Sequence, residues 1–303
     1  MTTRAVCLAI LALALVGVPV TAGGADRISV GATSPTAFDW DSMVAEDRGF
    51  FAREDLEVTI TYMAPDLPIK ALIAGAVDIA KSGTHFGIIA AARGAEVKII
   101  GSSISGYPYD LISQPHIRSL ADLRGTTIAG AGPTSITTVI FKDLMARHGQ
   151  ALQSGRVAAS LAESPPFNLR AVDLGKKVLV RYGDELKDLQ FSSYSTSPRL
   201  SRERRPVLVR YLKSVGQAMR WLNDPRNEKD AVQLLARRLR IDQALAARSY
   251  TFLVAERRAF RGEGKNDGRG LAEMVRLLAA GQLIPGPEPW EAFVDQAFMP
   301  PAP

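Results

Sequence analysis

Residues 45–78 read AEDRGFFAREDLEVTITYMAPDLPIKALIAGAVD, and this run admits few folds. A helix ends at Gly49, and 56–63 then alternates apolar with polar residues as a half-buried strand does. A short helix over 69–74 follows, closed by Gly75 as a left-handed cap, before another strand opens at Val77. The closing phrase returns near position 151 as Ala151-Leu152-Gln153-Ser154-Gly155-Arg156-Val157. Strands are also expected ahead of each unit, at 28–31 and 127–130. A strand–helix–strand unit that occurs twice predicts two similar lobes. A cleft between two lobes can close on a ligand.

The first twenty-five residues stand apart. Arg4 precedes an unbroken apolar run over 6–18, and Pro19 and small residues follow. That pattern is a secretory leader, and the run is too short for a membrane span. Cleavage is expected after Ala25, with Ala22 the alternative. The only cysteine, Cys7, lies inside the leader. The exported chain would therefore have no disulfide, thiol nucleophile or cysteine metal site. A periplasmic location fits these features.

The excess of positive charge falls late. Sixteen Lys and Arg stand against six Asp and Glu between Arg199 and Arg261, on amphipathic helical segments. A solvated helical face accounts for them better than a nucleic-acid patch, since no nucleic-acid motif accompanies them. His85, His116 and His148 are scattered, so no metal site is expected. No cofactor is expected either.

Domain boundaries follow from the crossings. Lobe one takes 26–106 and 195–303, and lobe two takes 107–194. Residues 189–197 are polar and read as a turn carrying the chain back. Helices are expected over 202–222, 228–239, 242–252 and 270–280. Lobe two should lack one edge strand near 149–150, where its first helix runs directly into the next. That would leave the edge of 127–130 open.

In open α/β sheets ligands sit beyond the carboxyl ends of the strands. The rule selects the loops 32–40, 62–65, 81–85, 131–135 and 163–166, together with both crossings. Gly130-Ala131-Gly132-Pro133-Thr134-Ser135 is the sharpest of them. Free N–H groups and the helix dipole at Thr134 and Ser135 would favour an anionic ligand group, although either hydroxyl could simply cap the helix. His85 is a candidate hydrogen-bond donor. Phe38, Trp40, Tyr62 and Tyr107 could stack on a planar ligand or serve the core. Asp39 and Asp41 flank Trp40; capping a helix suits them better than acid–base catalysis, because no partnered nucleophile is visible. Lys81 is the one clear cation in these loops.

Several phrases together resemble the periplasmic substrate-binding proteins of ABC importers, in the branch for nitrate, sulfonate, taurine and thiamine-pyrimidine precursors. The phrases are Ala45-Glu46-Asp47-Arg48-Gly49-Phe50-Phe51, Asp55-Leu56-Glu57-Val58, Ala71-Leu72-Ile73-Ala74-Gly75-Ala76-Val77-Asp78-Ile79-Ala80, Ser119-Leu120-Ala121-Asp122-Leu123-Arg124-Gly125 and Ser164-Pro165-Pro166-Phe167. The resemblance implies an α/β protein of type II periplasmic-binding architecture: two Rossmann-like lobes, a helical C-terminal region and a ligand cleft. It further implies capture of a small sulfonate, carboxylate or pyrimidine-type solute, delivery to a membrane permease, a monomeric state and no catalysis. Ser34, Thr84, Thr134, Ser135 and Ser164 are the contacts it carries over. The alternative is an enzyme of the same fold, similar to the thiamine-pyrimidine synthases. Those carry a cysteine-rich motif that this sequence lacks.

Overall fold

The computed structural model describes residues 24–33, 35–130, 135–147, 157–163 and 165–298. Strand β1 (Asp26–Thr33) leads through a tight turn at Ala37–Asp39 into α1 (Trp40–Asp47) and α2 (Phe50–Arg53). Then come β2 (Leu56–Met63), α3 (Leu67–Ile73), β3 (Ile79–Gly83), α4 (Thr84–Ala92) and β4 (Lys98–Ser105). A second series follows: β5 (Asp110–Ser113), β6 (Thr127–Ala129), α5 (Ile136–Arg147), β7 (Val157–Glu163), α6 (Phe167–Asp173), β8 (Lys177–Arg181) and α7 (Tyr182–Glu185). Strand β9 (Gln190–Thr196) precedes the helical remainder: α8 (Pro198–Glu203), α9 (Arg205–Asn223), α10 (Glu228–Leu239), α11 (Gln243–Tyr250) and α12 (Gly268–Ala280).

The strands form two sheets, ordered β2-β1-β3-β9-β4 and β6-β7-β5-β8. In the first, β1 runs parallel to β2 and β3, and β9 is antiparallel to both β3 and β4. In the second, β6 runs parallel to β7, and β5 is antiparallel to β7 and β8. Four strands thus follow one pattern in each sheet, with β5 and β9 in equivalent places. Those two strands are the first that the chain enters after each crossing, so each lobe is completed by chain arriving from the other.

The two crossings lie side by side. The Gly106 N–H donates to the Leu189 carbonyl at 2.7 Å, and the Tyr107 N–H to the Leu186 carbonyl at 3.1 Å. Gly106 has φ of +76°, and a Cβ there would come within 3.1 Å of the Lys187 carbonyl oxygen. Only glycine meets both demands without strain.

The structure corrects the reading of residues 189–197 as a turn. All seven residues of β9 are buried, and β9 lies inside the first sheet. Its polar side chains are paired: Ser192 Oγ donates to the Ser82 carbonyl at 3.0 Å, Gln190 Nε2 to Ser193 Oγ at 2.8 Å, and Thr196 Oγ1 to the Asp78 carbonyl at 2.8 Å. Buried hydroxyls with partners carry little penalty. Gln190–Thr196 thus belongs to the first sheet.

Among the described residues the second sheet has four strands against five, and β6 is bordered on one side by β7. Residues 148–156, where a strand was expected to be missing, lie outside the described residues. So do 1–23, most of the segment expected to be a leader. The single helix expected over 202–222 divides at Arg204, and Pro206 stands in the first turn of α9, where a missing N–H costs nothing. Lys81 belongs to β3 and His85 to α4, not to a loop.

Helix α9 packs on α1 and α2 beside the first sheet, and α10 packs on α1. Helix α9 buries Leu208, Tyr211, Val215 and Leu222 along one stripe, spaced to face the core. Its outer face and that of α10 carry the late positive charge. Arg48 pairs with Asp230 at 2.9 Å, Arg238 with Glu46 at 2.6 Å and Arg237 with Asp47 at 3.3 Å. These partly exposed pairs add little each, though they tie α10 to α1. No helix among the described residues is long and apolar enough to cross a membrane.

Candidate functional site

A cavity of about 680 Å³ opens at the carboxyl ends of the parallel strands, with walls from both lobes. Lobe one supplies Thr36, Phe38 and Asp39 after β1, Pro65 and Asp66 after β2, and Lys81, His85 and Phe86 where β3 meets α4. Lobe two supplies Ser135, Ile136 and Thr137 at the start of α5 and Phe167 at the start of α6. Tyr109 comes from the first crossing, and Phe191 and Ser192 from β9. The volume suits a small organic molecule.

The turn after β1 sorts its residues between cavity and core. Thr36 Oγ1 accepts from the Phe38 N–H at 3.2 Å, which fixes the turn before α1. Phe38 and Asp39 then face the cavity. Trp40 turns inward, fully buried, with its ring edge-on to Tyr250 and Phe260.

Beneath the lobe-one wall lies a buried charge cluster. Lys81 Nζ donates to Asp39 Oδ1 at 2.5 Å, to Ser42 Oγ at 2.8 Å and to Asp41 Oδ1. The remaining oxygen of Asp41 accepts from Ser103 Oγ at 3.0 Å and from the Tyr194 hydroxyl, and that of Asp39 accepts from the Tyr62 hydroxyl. Burial alone would pull the Lys81 ammonium down, but Asp39 and Asp41 outweigh it and hold it above its ordinary value. Burial and Asp39 push the Tyr62 phenol well up, so it remains a donor. The cluster holds two carboxylates and one ammonium. Asp39 and Asp41 were expected to cap a helix. The Asp39 carboxylate makes no cap bond, and both carboxylates serve Lys81 instead.

His85 lines the cavity and is almost wholly buried. Burial pushes its imidazole down to about 3, which leaves the ring neutral across the physiological range. Its Nδ1 has no hydrogen-bond partner among the described residues. The ring sits against Gly83, where a Cβ would lie 2.4 Å from His85 Cε1. The absent side chain at Gly83 makes room for it.

Three rings of the wall meet edge to face. Phe38 and Tyr109 are 5.6 Å apart, Phe38 and Phe191 5.6 Å, and Tyr109 and Phe191 5.2 Å, with interplanar angles of 88°, 67° and 84°.

Of the residues expected at the site, Phe38, His85 and Ser135 border the cavity. Three others do not. Trp40 packs in the core; Thr84 is buried, its hydroxyl 2.6 Å from Ser193 Oγ; and Tyr107 lies behind Tyr109, edge-on to Tyr182. Trp40 and Thr84 follow the inward faces of their helices, and Tyr107 lies in the first crossing. Ser34, Thr134 and Ser164 lie outside the described residues. Tyr109, Phe191 and Phe167 were not singled out as contacts. Phe191 was hidden because its strand reads as a turn, whereas the Pro165-Pro166-Phe167 phrase did mark Phe167.

Ser135 caps α5, accepting from the Thr138 N–H at 3.3 Å. Replacing Ser135 with alanine is expected to cost about 1 kcal/mol of stability. Urea unfolding should show a lower midpoint at an unchanged slope. Among the described residues, no group of three His, Cys, Asp or Glu side chains could hold a metal ion.

Residues 41–159 match the family model described as NMT1/THI5 like. A comparison with curated protein sequences gives no significant match. Solved structures do. The alkanesulfonate-binding protein SsuA from Xanthomonas axonopodis pv. citri, bound to MOPS, superposes with a TM-score of 0.69 at 15% identity, over 89% of this chain and 98% of that one. The periplasmic aliphatic sulphonate binding protein SsuA from Escherichia coli gives 0.72 at 16% identity, over 89% and 92%. The desulfurization enzyme DSZB gives 0.65 at 14% identity, over 90% and 97%. The chain has the α/β, two-lobed fold of periplasmic binding proteins, as the sequence led us to expect.

Proposed function

We propose that this protein is the extracytoplasmic solute-binding component of an ABC importer, which captures a small organic solute and delivers it to a membrane permease. The observation that carries the reading is the cavity walled by both lobes, set beside paired crossings on which the lobes can hinge. A ligand touching both walls would favour the closed arrangement, and that arrangement is what a permease can recognise. The family match and the sulfonate-binding neighbours support this assignment, and the leader-like N-terminus supports a periplasmic location.

The enzyme reading keeps one observation in its favour, the fold shared with DSZB. Against it, the buried carboxylates Asp39 and Asp41 are both engaged with Lys81, and His85 is held neutral with no partner for its Nδ1 among the described residues. Such groups are poorly placed for acid–base work.

A thermal-shift screen of sulfonates, carboxylates, amines and pyrimidines tests the proposal. A true ligand at one hundred times its Kd should stabilise the protein by about 2.7 kcal/mol, a rise of several degrees in Tm. If no solute class raises Tm, the solute-binding reading fails.

A further inference from the structure

We propose that the solute carries a positively charged ammonium group, seated among Phe38, Tyr109 and Phe191 beside Asp39. This deepens the solute-binding reading and rests on it.

Lys81 and His85 are the only side chains in the cavity's described lining that could carry positive charge. A lysine ammonium has three N–H donors, and Lys81 commits them to Asp39, Asp41 and Ser42. It has none left to turn toward an incoming sulfonate or carboxylate. His85 is kept neutral by burial. In the sequence, 131–134 read Ala-Gly-Pro-Thr and 34 and 164 are serines, so these expected contacts bring no basic side chain.

The other charged side chains of the described wall are negative. Two carboxylates share the single ammonium of Lys81, so the cluster retains one net negative charge, and Asp39 brings it to the cavity surface. Asp66 adds a second carboxylate at the rim, answered by the exposed Lys70. In a partly desolvated pocket, an uncompensated charge attracts a counter-charge far more strongly than it would in water.

The rings point the same way. Phe38, Tyr109 and Phe191 meet edge to face and are not stacked. Aromatic faces carry the negative part of the ring quadrupole and attract cations, most strongly when water is excluded. A carboxylate and aromatic rings lining one cavity can together recognise a quaternary or protonated amine. The hydroxyls of Thr36 and Thr137 can meet the rest of the molecule.

Calorimetric titration of the exported chain with choline, benzyltrimethylammonium and tetramethylammonium tests this. The neutral carbon isostere of choline, 3,3-dimethylbutanol, and propanesulfonate serve as comparisons. At least one cation should bind, and choline about tenfold or more tighter than its isostere. Asp39→Asn should weaken cation binding about tenfold or more while leaving the neutral compound unchanged. Phe191→Leu keeps apolar volume but removes the ring face, and should weaken the cations in the same way if Asp39→Asn does not fold. Equal binding of choline and its isostere, or propanesulfonate bound more tightly than every cation, overturns the inference and leaves the solute-binding reading standing. Failure of all three cations at millimolar concentration also overturns it. The broader reading fails separately, only if no class of solute raises Tm.

Discussion

Replacing Lys81 with methionine is expected to destabilise the protein by about 3–5 kcal/mol, although methionine fills nearly the same space. The ammonium is buried with two carboxylates that have no other cation in reach among the described contacts. Removing it leaves two like charges together in a medium that solvates neither. Urea unfolding followed by circular dichroism measures the loss, and an unchanged slope would show that the unfolded state is not responsible. The pH dependence has a definite sign. Lys81 is raised in the folded protein, so its contribution is fully present below the ordinary lysine value of about 10.4 and is lost as pH rises through the higher folded value. The native protein should therefore lose stability above about pH 10.4, and the methionine variant should lack that share of the loss.

Trp40→Ala should cost about 3–5 kcal/mol as well, for a different reason. The indole is fully buried against Tyr250 and Phe260, so truncation opens a cavity at the seam between α1 and the C-terminal helices. Trp40→Phe keeps much of the packing and should cost less. Because Trp40 stands off the cavity wall, the phenylalanine variant should bind solute with native affinity. An affinity lost in proportion to indole area would instead place Trp40 at the ligand.

These two residues also show how far the sequence could be read. Alternation over 56–63 marks a half-buried strand because one face meets water, and β2 occupies that span. The amphipathic run at 228–239 likewise coincides with α10. Such patterns are local, written in residues that must choose between core and solvent. Strand β9 makes no such choice. It is buried on both faces, and its serines and threonine bond to atoms far away in sequence, such as Ser82 and Asp78. A polar composition therefore concealed a central strand, and with it Phe191. The site was legible at the level of loops, since strand ends select them, but not at the level of side chains. Asp39 and Lys81 are forty-two positions apart, and nothing local shows that they neutralise one another. Trp40 and Phe38 differ by two positions on a tight turn, which sends one ring to the core and the other to the cavity.

A solute-binding protein holds a small molecule and gives it back unaltered. The most direct measurement is native mass spectrometry of the purified chain loaded with the best ligand from the thermal screen, followed by release and identification of what was bound. The account requires one molecule per chain, recovered with its starting mass and structure after prolonged incubation. Recovery of a chemically changed product, accumulating in excess of the protein, would contradict it and return the fold to the enzymes that share it.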